Sequence, residues 1–362
     1  MITAAGNRHT RVSSVLKTFP MCRFTSRCSQ YRRLVIVIAL VFAGPGCVTT
    51  RVASPRLRIL GTVQDGGLPH AGCWCSHCRT ARSSPAHSRF VSSLALILPG
   101  SSNRPKIFLF DATPDIRGQL DLLHDLRPDS ANSMDRRPVD GVFLTHAHIG
   151  HYLGLAFFGF EAIHTSNLPV YCTPRMADFL RANGPWSQLV RIGNLQLLKL
   201  EPGRPVRVPL DDEDGPSVLI TPIQVPHRDE YSDTVGFIIR REHHDQEVSG
   251  PTVLFVPDTE PWRTWNPSLL EVIEQHQVTI AILDGTFYSA DELPDRDATK
   301  IGHPLMSDTM DLLEPLVRDG RLKVYFTHLN HSNPALDPAS GAMQEIIKRG
   351  FKVAREGVEL AL

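Results

Sequence analysis

The sequence predicts a layered α/β fold, and three observations carry that reading. Short apolar runs ended by Gly, Pro or polar residues recur along the chain, as strands require. Stretches with helical periodicity are interspersed among them. Four of the runs end in a side chain able to bind a metal, at His146, His227, Asp258 and His328. Strands alternating with helices stack as sheets covered by helices.

The first 47 residues stand apart. Residues 34–43 (LVIVIALVFA) are uninterruptedly apolar, with Arg23, Arg27, Arg32 and Arg33 before them and Gly44, Pro45, Gly46 and Cys47 after. A basic region, a short apolar run and a small-residue end are the layout of a secretory signal. The run is too short for a spanning helix, which needs about 20 residues. Cys47 directly after Gly46 points to a bacterial lipoprotein whose thiol receives lipid. Ordinary cleavage and an untargeted basic leader are the other readings, and Met21 is an alternative start. The expected protein is therefore exported, periplasmic or membrane-anchored. Residues 48–55 read as a linker and 56–362 as one catalytic domain.

From residue 56 onward, strands are predicted at 58–63, 93–98, 106–110 and 142–144. Later ones follow at 168–171, 218–225, 235–239, 252–256, 279–283 and 323–326. Helical periodicity marks 115–123, 175–183, 267–276, 308–317 and 338–348. Residues 210–215 are acidic and bounded by Gly and Pro, so they form a surface loop. The segments 159–166 and 186–188 are expected to line a pocket. A hydrophobic share of 42% is that of a globular enzyme and excludes disordered and collagen-like classes. With 38 basic against 38 acidic residues, there is no electrostatic case for nucleic acid, and a small-molecule substrate is expected. Any membrane contact would come through the lipid anchor.

The chemistry gathers after residue 141. A buried strand runs directly into His146-Ala-His148-Ile-Gly-His151. Imidazole and carboxylate are ligands that zinc and iron(II) accept. His146 and His148, two apart on a turn, can converge on one ion, whereas His151 begins a helix and suits a second. Asp258 can bridge two ions some 3.5–4 Å apart. A single loop histidine is usually just solvated; three within six residues, with matching strand ends downstream, reverse that expectation. His303 stands before a helix, as a substrate contact, an acid or a structural flank. Asp284, at a strand end, is a cap in its plainest role.

Of seven cysteines, Cys73, Cys75 and Cys78 lie within six residues. They are too crowded to favour disulfides, and three thiolates on one loop suit a closed zinc site. A redox-active or merely clustered set is the alternative. The fourth ligand is assigned to His331, with His77 and His70 as rivals. Cys172, ending an apolar strand, reads as a small buried hydrophobe. Cys22 and Cys28 belong to the leader.

Thr145-His-Ala-His-Ile-Gly-His151-Tyr-Leu-Gly resembles the metallo-β-lactamase superfamily motif His-x-His-x-Asp-His. The resemblance covers about residues 56–362 and implies an αββα sandwich of two mixed β-sheets flanked by helices. It implies a first metal site of His146, His148 and His227, a second with His151 and His328, and Asp258 between them. Gly150 stands where the motif has Asp, which opens the prospect of one ion or of compensation by Asp229 or Asp284. The Cys-x-Cys-x-x-Cys pattern with His331 resembles the phosphoribosyl cyclic phosphodiesterase of phosphonate breakdown, where it implies a structural zinc.

The chain as a whole resembles the coenzyme PQQ synthesis protein B family. The matching segments are Gly66-Gly-Leu-Pro69, Cys73-Trp-Cys-Ser-His-Cys-Arg79, Val225-Pro-His-Arg-Asp-Glu230 and Asp233-Thr-Val-Gly236. They continue through Pro257-Asp258, Leu283-Asp-Gly-Thr-Phe287, Gly302-His-Pro304, Thr327-His-Leu-Asn330 and Asn333-Pro334. The expected function is metal-dependent hydrolysis of an ester, lactone or phosphodiester, with Asp258 and His303 catalytic. The expected cofactors are one structural zinc and one or two catalytic zinc ions, with iron or manganese as alternatives there. The PQQ-linked resemblance also implies a non-haem iron oxygenase acting in cofactor biosynthesis. A third reading is a lipid-anchored binding protein whose second site has decayed at Gly150.

Overall fold

The computed structural model describes residues 54–100, 104–127, 134–210, 216–242, 248–293 and 301–362. The leader with Cys22, Cys28 and Cys47, the linker as far as residue 53, and loop residues 211–215 lie outside the described residues.

Fourteen strands among the described residues make two seven-stranded sheets. The first contains β1 (Arg56–Gly61), β2 (Ser93–Leu98), β3 (Lys106–Phe110), β4 (Gly141–Phe143), β5 (Leu168–Cys172), β6 (Leu195–Lys199) and β14 (Glu359–Ala361). Its order is β14-β1-β2-β3-β4-β5-β6. The second contains β7 (Val206–Pro209), β8 (Ser217–Gln224), β9 (Val235–Glu242), β10 (Val248–Val256), β11 (Ile280–Asp284), β12 (Lys323–Thr327) and β13 (Lys352–Val353). Its order is β13-β12-β11-β10-β9-β8-β7. Both sheets mix parallel and antiparallel pairs.

The apolar runs are continuous rather than alternating because the central strands are covered on both faces. In β2, Leu94, Leu96 and Leu98 enter the core between the sheets with Phe110, Phe143, Phe237 and Phe255. The intervening Ala95 and Ile97 face the opposite way, packing with Ile116, Met176 and Leu180. Those three sit on α2 (Ile116–Asp121) and α4 (Pro174–Ala182). The second sheet mirrors this arrangement. Leu254, Leu283 and Phe326 pack with Val272, Met310, Leu313 and Ile346, from α6 (Leu269–Gln275), α7 (Met306–Arg318) and α8 (Gly341–Lys348). The result is the expected αββα sandwich.

Three further helices are α1 (Ser76–Ser83), α3 (Ile149–Tyr152) and α5 (Trp186–Arg191). The last takes in residues 186–188: a proline N-cap starts a helix there, and the buried Trp186 ring packs on Tyr152. No helix among the described residues is long and apolar enough to cross a membrane.

Strand direction positions the chemistry. β1, β3 and β4 run the same way in the first sheet, since β2 is antiparallel to β1 and β3, while β3 and β4 are parallel. By the same reasoning β8, β10, β11 and β12 run together in the second sheet. Their C-terminal ends deliver Asp65, Asp111, His146, His227, Asp258, Asp284 and His328.

Candidate metal centre

Asp258 lies at the middle of the cluster. Its Oδ2 is 3.4 Å from His146 Nε2, 3.2 Å from His227 Nε2 and 3.9 Å from His148 Nδ1. The same oxygen is 3.8 Å from both His151 Nε2 and His328 Nε2. Two donors bound about 2.0–2.2 Å from one tetrahedral zinc lie about 3.3–3.6 Å apart, and separations of 3.2–3.9 Å bracket that range. The six residues expected from the sequence do meet.

They resolve into overlapping donor groups. His146, His148, His227 and Asp258 offer one set; Asp65, His151 and His328 offer another; Asp258, Asp284, His303 and His328 form a third. The Nε2 atoms of His146, His151 and His328 are fully buried without a hydrogen-bond partner. Buried polar atoms are nearly always paired, and a cation satisfies several at once.

The opposite ring nitrogens are held. Asp111 accepts from His151 Nδ1 at 2.7 Å and from Thr145 N at 2.8 Å. The Thr145 hydroxyl lies 2.9 Å from His146 Nδ1, and that of Thr286 lies 3.0 Å from His328 Nδ1. Glu230 accepts from His148 Nε2 at 3.0 Å, turning Nδ1 toward His227 Nε2 at 3.0 Å. Such outer partners fix tautomer and ring orientation in metal sites. Asp111 and His328 also take left-handed backbone angles, φ +66° and +62°, a strain tolerated where function demands it.

Protonation follows from burial and neighbours. Burial holds His146 well below the usual imidazole range, helped by His151, and lowers His328. Both rings are thus neutral, as a ligand must be. Burial opposes ionisation of Asp258, but the His227, His328 and His303 imidazoles outweigh it and hold the carboxyl well below its ordinary range. His151 is also penalised by burial, yet the charge of Asp111 lifts it to about 9. A cation beside Nε2 would take the place of that proton.

His303 donates from Nδ1 to Asp284 Oδ2 at 2.9 Å and sits 3.3 Å from Asp258 Oδ1. Asp284 also accepts from the Thr286 and Thr259 backbone amides, so its capping role and its place beside the cluster coexist. Asp229 does not join the cluster; its carboxylate accepts from Thr234 Oγ1 at 2.9 Å. Sequence reasoning missed Asp65, Asp111 and Glu230. Asp111 directly follows β3, so the strand-end rule that found Asp258 would have found it.

The second cluster joins Cys73, Cys75 and Cys78 to His331. His331 Nδ1 lies 3.4 Å from Cys73 Sγ and 3.6 Å from Cys75 Sγ. His77 instead turns Nδ1 to the His331 carbonyl, and His70 packs its ring tilted against that of His331 while its Nδ1 faces the Ala71 carbonyl. His331 therefore occupies the fourth position. Cys172 is fully buried, which pushes its thiol up to about 12, in keeping with a packing role.

A cleft of about 620 Å³ borders the metal-competent cluster at His227 and is lined by Gln224, Glu260, Trp265 and His276 among others. Neither 159–166 nor 186–188 contributes to it.

A family model described as a Beta-lactamase superfamily domain matches residues 106–329. The chain belongs to the β-lactamase superfamily. It is 27% identical over 334 residues to Coenzyme PQQ synthesis protein B of Stutzerimonas stutzeri, covering 85% of this chain and all of the relative. The namesake protein of Cupriavidus necator is 28% identical over 326 residues, covering 84% and 99%. Among solved structures, Zn(2+)-bound PqqB from Methylobacterium extorquens superposes with a TM-score of 0.62 at 21% identity, covering 85% of this chain and all of that one. A diphosphatase from the PhnP family gives 0.54 at 18%, covering 85% and 97%. These structural likenesses establish the fold.

Proposed function

We propose that this chain is a metal-dependent hydrolase acting on an ester, lactone or phosphodiester. One observation carries the reading: a single carboxylate oxygen of Asp258 stands 3.2–3.9 Å from five imidazole nitrogens. Such a cluster of donors around one carboxylate would suit a centre of one or two divalent ions. In this reading His146, His148 and His227 hold the first ion, His151 and His328 contribute to the second, and Asp258 serves both. Zinc there, or iron or manganese, supplies Lewis acidity and lowers the pKa of a coordinated water to about 7.

The protein's own groups do the rest. Asp111, Thr145, Thr286 and Glu230 hold the rings in ligating tautomers. His303 is penalised by burial, but Asp284 and Asp258 raise it well above its ordinary value. It therefore stays protonated at neutral pH. With Nδ1 committed to Asp284, the Nε2 proton is the one it gives to a leaving oxygen. The cleft beside His227 receives the substrate. Cys73, Cys75, Cys78 and His331 hold a structural zinc, tying the loop after β1 to the one after β12. The leader exports the chain and Cys47 carries lipid; mass spectrometry of the mature N-terminus from membrane and soluble fractions tests this.

The hydrolase reading is tested on full-length protein, wild type and His148→Ala, with metal analysis and a panel of nitrophenyl esters, nitrophenyl phosphodiesters and lactones. Wild type should turn over at least one class, and His148→Ala should lose ions and more than about 99% of the rate while keeping its circular dichroism. A fully metallated protein inert on the whole panel refutes it. Oxygen uptake with a tyrosine peptide under iron would favour the oxygenase.

A further inference from the structure

We propose that Asp65 takes over the metal-binding task of the superfamily's motif aspartate, delivered to the second ion from a different strand. The inference rests on the two-ion hydrolase reading and assigns a ligand that the histidine motif does not contain.

Gly150 stands at the motif position, and its side-chain space is already occupied. A Cβ built there would meet Asp65 Oδ1 at 2.4 Å, Cα at 2.8 Å and Cγ at 2.9 Å. The backbone angle at Gly150 is not among the positive ones, so close approach of Asp65 is what requires glycine. An aspartate at 150 and an aspartate at 65 exclude each other in this arrangement, and the chain has exchanged one for the other.

Asp65 is held from two sides. Its Oδ1 accepts from Gly150 N at 2.7 Å, one residue from His151. Its turn begins at Gln64, whose amide donates to Leu329 O at 3.0 Å, one residue from His328. A parallel bridge between Val63 and Leu329 fixes the same junction. The carboxylate is thereby located against both histidines, and a carboxylate oxygen with the two ring nitrogens falls within 4.8 Å mutually. His151 and His328 present buried, partnerless Nε2 atoms to that space. Two imidazoles, this carboxylate and the shared Asp258 oxygen make a four-donor set for a divalent ion.

Asp65→Asn separates a ligand from a turn-forming cap, because the amide oxygen still accepts from Gly150 N while the charge is lost. Full-length wild type, Asp65→Asn and Gly150→Ala are reconstituted with zinc, and ions per chain and stepwise affinities are measured. Cobalt-loaded samples are compared by visible spectroscopy, and crystals by anomalous scattering. Wild type should hold two ions at the histidine centre besides the structural one. Both variants should weaken the second by more than about tenfold, the scale on which even outer partners of metal ligands act. The first ion and the structural ion should be unchanged, and Asp65→Asn should remain folded by circular dichroism.

Asp65→Asn binding the second ion as wild type does would overturn the assignment and leave the hydrolase reading intact. Loss of both histidine-centre ions together would also overturn it, as would an anomalous peak beside Asp284 and His303 instead. A wild-type centre holding one ion would overturn it along with the two-ion reading.

Discussion

Asp111→Asn isolates what the outer partner of a metal ligand contributes. The residue is completely buried and has φ +66°, a conformation asparagine tolerates as well as aspartate, so the change adds no backbone strain. The wild-type carboxylate is an acceptor only, so His151 turns its Nδ1 proton toward it at 2.7 Å and a cation can take the place of the proton on Nε2. In the variant one oxygen becomes NH₂. The Thr145 amide donates to Oδ1 at 2.8 Å, while its hydroxyl lies within 3.0 Å of both oxygens, so the amide keeps the remaining oxygen on that side. The NH₂ then faces His151 Nδ1, which must accept. The ring moves its proton to Nε2, where it blocks ligation. Outer partners of this type are worth about 10–100-fold in metal affinity, or about 1.4–2.7 kcal/mol. Weakened charge-assisted bonds to Thr145 should remove a further 1–3 kcal/mol or so from metal-free stability. Zinc titration against a chromophoric chelator reads the first quantity, and denaturant unfolding of the chelated protein reads the second. A second-ion affinity within twofold of wild type, in a variant with the expected stability loss, would refute the tautomer argument.

Two other outcomes are expected. Cys75→Ala should lose one ion per chain and keep the histidine-centre ions; a few kcal/mol of lost stability should lower the melting temperature about 2–4 °C for each kcal/mol in a large domain. An unchanged ion count and melting temperature would remove the structural-zinc reading. Glu356 accepts from Phe90 N at 2.6 Å, and burial raises its carboxyl from 4.5 to about 7. Between those values the folded chain keeps a proton that the unfolded chain has lost, so stability falls as pH rises through the window, by at most about 3 kcal/mol and less after solvent screening. Glu356→Gln should match wild type near pH 4.5 and exceed it by about 1–3 kcal/mol at pH 8. Taking the difference between variant and wild type at each pH cancels metal-site titration, and a pH-independent difference would contradict the assignment.

Where the sequence was legible follows from burial. All ten predicted strands exist, and they occupy every interior position of both sheets. The four that were missed, β6, β7, β13 and β14, are the edges. An interior strand covered on two faces tends to a continuous apolar run, as 94–98 (LALIL) shows. An edge strand such as Leu195–Lys199 (LQLLK) alternates irregularly and is half-exposed, and Val206–Pro209 ends in a residue that edges tolerate. Short, partly solvated segments leave no periodic signal to find.

The metal centre divides along a similar line. His146, His148, His151, His227, Asp258 and His328 were readable because histidine is rare and costly to bury, so each one stands out after an apolar strand. Aspartate beside glycine is common in turns, and Gln64-Asp65-Gly66-Gly67 offers turn chemistry as a sufficient explanation of itself. Only the three-dimensional approach of Asp65 to Gly150 ties that turn to the histidine motif. A missing carboxylate at 150 and a spare one at 65 are each ordinary in sequence. Together, 85 positions apart in the chain, they meet through the hydrogen bond from Gly150 N to Asp65 Oδ1, with one side chain filling the space beside the other residue.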